Sequence, residues 1–236
     1  MTKRFSASSA GRLMACPASA NLELAIPGFV EPPRVVGKSA DHGTSIHEIF
    51  EEVWELSPRD MDMFAQCVAY VAALRKTRRF NKLIEATVKA TWLQDEPETT
   101  VDLALYTQDE LHILDTKTGR IRVDVHDNKQ LMYYAVTLAH LAPKAKGVTL
   151  HILQPWAEGN IESVFVSASE LNVFKDEAIE AERKIKAKDL TFAPSDNCTF
   201  CPANPHGRGA KAEQFCPAMM QLLYPTFVDE AEILGS

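Results

Sequence analysis

Residues 101–119 read VDLALYTQDELHILDTKTG. Val101, Leu103 and Leu105 alternate with Asp102, Ala104 and Tyr106, and Leu111, Ile113 and Asp115 alternate with His112, Leu114 and Thr116. A period of two is the signature of strands. The four polar residues 107–110 between the two runs make the turn of a hairpin. If that turn is symmetric, Asp102 lands opposite Asp115 on one face, and Lys117 shares that face. Facing positions on neighbouring strands have Cβ atoms about 4.5–5.5 Å apart, and like charges placed there destabilise a sheet. A positive group is expected between the two carboxylates. Two readings supply one: Lys117 as a plain salt-bridge partner, or a divalent cation, since Mg²⁺ is typically held by one or two carboxylates and completes its shell with waters and phosphate oxygens.

Asp115-Thr116-Lys117 resembles the D-x-K half of the PD-(D/E)XK nuclease signature, with Asp102 placed like the first acidic residue of that hairpin. Three further segments carry the resemblance toward the RecB-like branch of the superfamily. Gly43-Thr44-Ser45-Ile46-His47 matches its G-x-x-x-H motif, and Gln130 with Tyr134 matches its Q-x-x-x-Y. Residues 6–19, SASSAGRLMACPAS, resemble the N-terminal segment of those members that carry an iron–sulfur cluster. One departure is residues 99–102, Thr-Thr-Val-Asp, where many relatives have Gly three before the Asp.

Each of these residues also has a structural reading. His47 lies on the flank of a helical stripe formed by Ile46, Ile49, Phe50, Val53 and Trp54, where a histidine commonly packs and hydrogen-bonds. Gln130 pairs with Asp127 as a capping box at the start of a helix running to about Leu141. Glu85, on a strand spanning about 84–92, is either a solvated strand-end charge or a carboxylate that reaches the metal site from the first strand.

Around the hairpin the chain reads in order as a helix near 59–79, the strand at 84–92, the hairpin, a strand-like IRVDV at 121–125 and a helix from Asp127. Strands at 148–153 and 161–165 and a charged amphipathic helix at 169–188 follow. Helix, three strands, helix, strand predicts an α/β fold with a mixed sheet. The resemblance makes it the αβββαβ core of the PD-(D/E)XK restriction-endonuclease-like fold with added helices.

Cys198-x-x-Cys201, Cys216 and the distant Cys16 form a set of four, while Cys67 sits among apolar residues of a helix and reads as core. Four thiolates suit zinc or an iron–sulfur cluster. The RecB-like resemblance implies a [4Fe-4S] cluster on Cys16, Cys198, Cys201 and Cys216; the longer spacing before Cys216 leaves structural Zn²⁺, or His206 as a ligand, open. On this reading residues 1–236 form a single nuclease domain in which 1–20 and 195–220 are joined by the cluster.

At 236 residues, 46% of them apolar and 24% charged, the chain has ordinary globular composition. No apolar run approaches the roughly 18 residues a membrane span needs, and the N-terminus lacks the apolar core of a secretory signal. A soluble protein of a reducing cytoplasm, bacterial or of a phage-infected cell, is expected. The net charge of −7 argues against a broad non-specific nucleic-acid coat. A local cluster, Arg75, Lys76, Arg78, Arg79 and Lys82, is either a solvated helix face or the wall of a groove.

Taken together, the resemblance implies a Mg²⁺- or Mn²⁺-dependent deoxyribonuclease, an exonuclease acting on DNA ends in recombination or repair, with a structure-specific DNA endonuclease or a non-cleaving iron–sulfur DNA-binding module as the rival readings. A recombinase or single-strand-binding protein is an expected partner. His47, Asp102, Asp115 and the Thr116 carbonyl would hold the metal, Lys117 would orient the attacking water or stabilise the charge that develops in the transition state, and Gln130 and Tyr134 would contact DNA and orient the site.

Overall fold

The computed structural model describes residues 5–32, 58–117, 119, 121–155, 161–204 and 215–223. His47, with its motif and surrounding helix, and His206 lie outside these. Two compact units divide the chain: Met1–Arg34 with Glu177–Ser236, and Val35–Asp176.

The first unit begins with two short helices, α1 (Ala10–Ala15) and α2 (Leu22–Ala25), separated by a 3-10 turn at Pro17–Ala20. The second contains α3 (Pro58–Thr77), β1 (Asn81–Lys89), β2 (Glu98–Tyr106), β3 (Leu111–Thr116), α4 (Lys129–Leu138), β4 (Gly147–Leu153) and β5 (Ile161–Ser167). Helix α5 (Ala168–Lys186) starts in the second unit and finishes in the first, where α6 (Pro217–Leu223) follows. The protein is therefore mixed α/β, with six helices among the described residues and a five-stranded sheet ordered β1-β2-β3-β4-β5.

β1, β2 and β3 form an antiparallel meander, β3 and β4 pair in parallel across α4, and β5 returns antiparallel to β4. The β2–β3 hairpin has the register read from the sequence: Tyr106 faces Leu111 and Leu103 faces Leu114, so the next rung sets Asp102 against Asp115. The turn closes through Thr107 N–H to Glu110 O at 2.9 Å. Thr107 Oγ1 also accepts from the Glu110 amide at 3.1 Å. Arg78 adds bonds of 3.1 Å to both oxygens of Asp109 and an ion pair of 3.3 Å to Glu110. That end of the hairpin is pinned.

Each sheet face has its own cover. Leu103, Leu105, Leu114 and Leu153 pack with Cys67, Tyr70, Val71 and Leu74 of α3. The opposite face, bearing Asp102, Ala104, Ile113, Asp115 and Ile152, lies on the side where α4 packs on β3 and β4. β4, with neighbours on both sides, is almost wholly buried along GVTLHIL, as an interior strand with a parallel partner requires.

Two expectations need correction. Residues 121–125 are not a strand. Their alternation is matched instead by a side chain: Gln154, fully buried, accepts from Val123 N–H and donates to Val123 O, both at 2.7 Å. One amide side chain thus imitates a rung of sheet. The α4 cap is Asn128, whose Oδ1 accepts from Leu131 N–H at 3.1 Å. Asp127, with φ of +52°, lies one residue too early to cap, so the Asp127–Gln130 box does not form and Gln130 is released for other contacts.

In the first unit, Leu22, Ile26 and Phe29 pack with Ala203 and Cys216, flanked by Phe192 and Met219. Asn21 Nδ2 donates to Ile185 O at 3.0 Å, tying α2 to the end of α5.

Candidate functional site

The polar cluster is built on the end of β3. Asp115, 2% exposed, pairs with Ile152 on the next-to-last rung of β3 with β4, and the chain leaves the sheet at Lys117, whose N–H donates to Leu153 O at 2.8 Å. That bond extends the parallel ladder one step and fixes the direction of the lysine. Lys117 Nζ lies 2.7 Å from Asp115 Oδ2 and donates to Gln130 Oε1 at 2.8 Å. Gln130 Nε2 donates to Asp115 Oδ1 at 3.2 Å and to the Tyr134 hydroxyl at 2.9 Å. The amide orientation follows from chemistry, because an ammonium only donates and a carboxylate only accepts.

Asp102, from β2, accepts from Thr116 N–H through Oδ2 at 2.8 Å. Its carboxylate therefore reaches across the hairpin to the residue between Asp115 and Lys117. Burial pushes the Tyr134 phenol up to about 12; the bond from Gln130 opposes the shift, the charges of Asp115 and Asp102 add to it, and a bond with the Thr99 side chain opposes it. Tyr134 therefore remains a neutral phenol at physiological pH. Asp102, Asp115, Lys117, Gln130 and Tyr134 are brought together at this end of the sheet. Thr99 joins them unforeseen, at the position where the motif has glycine, and no local sequence pattern announces the contact.

Glu85 is half-buried and lies mid-strand, between the rungs Ile84–Leu103 and Ala86–Val101, with φ of +44°. It is not a strand-end charge, and its rung is that of Asp102. In the basic cluster, Arg78 is spent on the hairpin turn, while Arg75, Lys76, Arg79 and Lys82 are exposed.

A second polar chain lies on the α3 face. The Tyr70 hydroxyl meets His151 Nδ1 at 2.8 Å, and His151 Nε2 meets His112 Nδ1 at 3.0 Å, with the two imidazoles stacked 5.3 Å apart. Two facing ring nitrogens share one proton. Burial, then the neighbouring His112, brings His151 down to about 3, and burial also lowers His112. Both imidazoles are neutral at pH 7.

The cysteines separate as the sequence suggests. Cys67 is fully buried, and burial pushes its thiol up to about 11, so it is an inert core residue. Cys16, Cys198, Cys201 and Cys216 all line one cavity of the first unit. Cys16 Sγ accepts from Ala193 N–H at 3.5 Å, and Cys198 Sγ from Ser195 N–H at 3.2 Å. Ala203 N–H serves Cys201, and the amides of Met219 and Ala218 serve Cys216. Burial nevertheless raises the Cys201 and Cys216 thiols. Among the described residues, no three His, Cys, Asp or Glu side chains are placed to hold a single metal ion.

The fold and the cluster define a mixed α/β protein carrying two acidic residues, a lysine, a glutamine and a tyrosine at the carboxyl end of a parallel strand pair. It belongs to the DUF2800 family, described as "Protein of unknown function (DUF2800)", whose match covers residues 57–234. Among solved structures, one described as "Crystal structure of SSO0001" is similar, with 12% identity, a TM-score of 0.42, and coverage of 89% of this chain and 85% of that one. No helix among the described residues is long and apolar enough to cross a membrane.

Proposed function

We propose that this chain is a metal-dependent DNA exonuclease of the PD-(D/E)XK type, RecB-like in its motifs, with an iron–sulfur lobe in its first unit. The observation that carries the reading is the hydrogen-bonded set Asp115–Lys117–Gln130–Tyr134, which joins the D-x-K and Q-x-x-x-Y residues through one amide. Asp102 and Asp115 on neighbouring strands offer the one or two carboxylates that Mg²⁺ takes from protein, so the donor set fits. Asp102, Asp115, the Thr116 carbonyl and His47 would hold Mg²⁺ or Mn²⁺, and an imidazole in that set favours Mn²⁺. The metal, when bound, supplies Lewis acidity at a phosphate oxygen and an acidified water.

The chain's own residues do the rest. Gln130 fixes Lys117 and Asp115 relative to each other, so the ammonium is held beside the reacting phosphate instead of sampling solvent. Tyr134, a neutral phenol at pH 7, holds Gln130 without adding charge to an already acidic site. Lys117 offers a proton or a positive charge where negative charge develops. In the first unit, four thiols around one cavity, each already met by a backbone N–H, would hold a [4Fe-4S] cluster, with structural Zn²⁺ as the alternative. The cellular role that follows is resection of DNA ends in recombination or repair, in the cytoplasm, beside a recombinase or single-strand-binding partner.

The test is digestion of end-labelled linear and closed circular DNA, single- and double-stranded, with Mg²⁺ or Mn²⁺. Release of nucleotides from linear ends alone is expected. Cutting of closed circles would make the enzyme a structure-specific endonuclease. Binding without any cutting by metal-replete protein would leave a cluster-bearing DNA-binding module.

A further inference from the structure

Four thiols converge on the cysteine cavity, and the guanidinium of Arg12 lies in its lining. Backbone N–H groups point at all four thiols, which is the arrangement that steadies thiolates and shifts the potential of a cluster they hold. Among the described residues lining the cavity, Arg12 carries the only charged side chain. It is half-buried and held: Nη1 donates to Ser19 O at 2.8 Å. Ser19 is itself fastened to the Cys16 carbonyl, by its amide at 3.0 Å and its hydroxyl at 2.6 Å. The guanidinium is thus fixed against the turn that presents one of the four thiols, and its charge reaches Cys201 as well.

We propose that Arg12 is the counter-ion of the four-thiolate site, stabilising a bound iron–sulfur cluster, and its one-electron-reduced state most. The proposal rests on the cluster half of the reading above, not on nuclease activity. Four thiolates leave such a site with net negative charge, and reduction adds one electron without making or breaking a bond. A buried charge is costly unless it is paired, and a fixed cation favours whichever state is more negative. Removing that cation lowers the midpoint potential and loosens the metal.

The experiment uses the full chain, purified anaerobically, as wild type, Arg12→Gln and Arg12→Lys. Each is titrated with a low-potential reductant while the cluster absorbance is followed, and each is separately challenged with a ferrous chelator. Arg12→Gln retains a hydrogen-bond donor for Ser19 O but loses the charge. Its reduced-to-oxidised ratio at a fixed potential is expected to fall about tenfold, equivalent to 59 mV for a one-electron couple. Its iron is expected to leave about 10- to 100-fold faster. Arg12→Lys, which keeps the charge, stays close to wild type. Equal potentials and equal iron loss in all three proteins would overturn the proposal. So would failure of both variants to hold iron, because that outcome assigns Arg12 to folding of the turn and not to charge. Wild-type protein without iron and sulfide would instead remove the cluster reading itself, and this proposal with it.

Discussion

Lys117 admits two roles that a single substitution separates. As a salt-bridge partner only, its loss leaves Asp115 buried beside Gln130 while a bound metal takes over the neutralisation, and cleavage persists. As the group that meets the developing charge, its loss spares metal and DNA binding and lowers hydrolysis, by about 10²–10³ if it resembles other such donors. Asp115→Asn is expected to weaken Mn²⁺ binding itself, since a charged ligand is removed. Mn²⁺ affinity, DNA affinity and single-turnover cleavage, measured for Lys117→Ala and Asp115→Asn, distinguish these roles. Near wild-type cutting by Lys117→Ala would show that D-x-K is not the chemistry here.

The buried histidine pair makes a separate statement about pH. Unfolded, His151 takes a proton near pH 6.5; folded, burial and then His112 hold it down to about 3. Between those values the unfolded state binds more protons, so stability falls as pH drops below about 6.5, by at most about 1.4 kcal/mol per pH unit for each such site. Above that range the pair contributes no slope. Urea unfolding at pH 7, 5.5 and 4.5 should show a shallower acid loss for His151→Gln than for the wild type, and equal slopes would show that folding does not hold the His151 imidazole neutral. None of this was legible in the sequence. His112 and His151 are far apart along the chain, and only the parallel β3–β4 register, which pairs Leu114 with His151, brings them together.

Among elements, those with strong local signals were readable and those relying on distant partners were not. The hairpin register follows from a four-residue polar turn and two clean alternations, so Asp102 and Asp115 could be set on one face before any coordinates. Residues 121–125 have the same alternation, yet the adjacent strand position is occupied by the Gln154 side chain. Periodicity reports which residues face inward; it does not say whether the partner is backbone or side chain. Gln154→Ala is expected to cost about 1 kcal/mol, because it strips partners from two half-buried backbone groups of Val123. Urea denaturation measures the cost, and amide exchange at Val123 locates it. Unchanged exchange there would mean that the imitation rung contributes nothing. The helix cap failed for a related reason: Asp127 and Asn128 are both good caps by composition, and the positive φ at Asp127 passes the role to Asn128.

For the whole molecule, the cysteine pattern was the most informative long-range signal, since four residues from opposite ends of the chain line one cavity. If they hold a cluster, anaerobically purified protein is brown and contains iron with acid-labile sulfide. Ser at position 16, 198, 201 or 216 should bleach it and lower thermal stability, whereas Cys67→Ser should keep the colour. Colourless protein with one equivalent of zinc would replace the assignment.

The parallel pairing of β3 with β4 bears on how the chain is made. The meander through β3 needs only neighbouring segments, but β4 begins at Gly147, after the whole crossover. At ordinary rates of synthesis, on the order of seconds separate the emergence of β3 from that of its second neighbour. During that interval LHILDT presents an unpaired, largely apolar edge, the kind that recruits other chains. Asp115 puts a charge near the end of that edge, and charge on an unpaired strand is one of the devices that discourage edge-to-edge pairing.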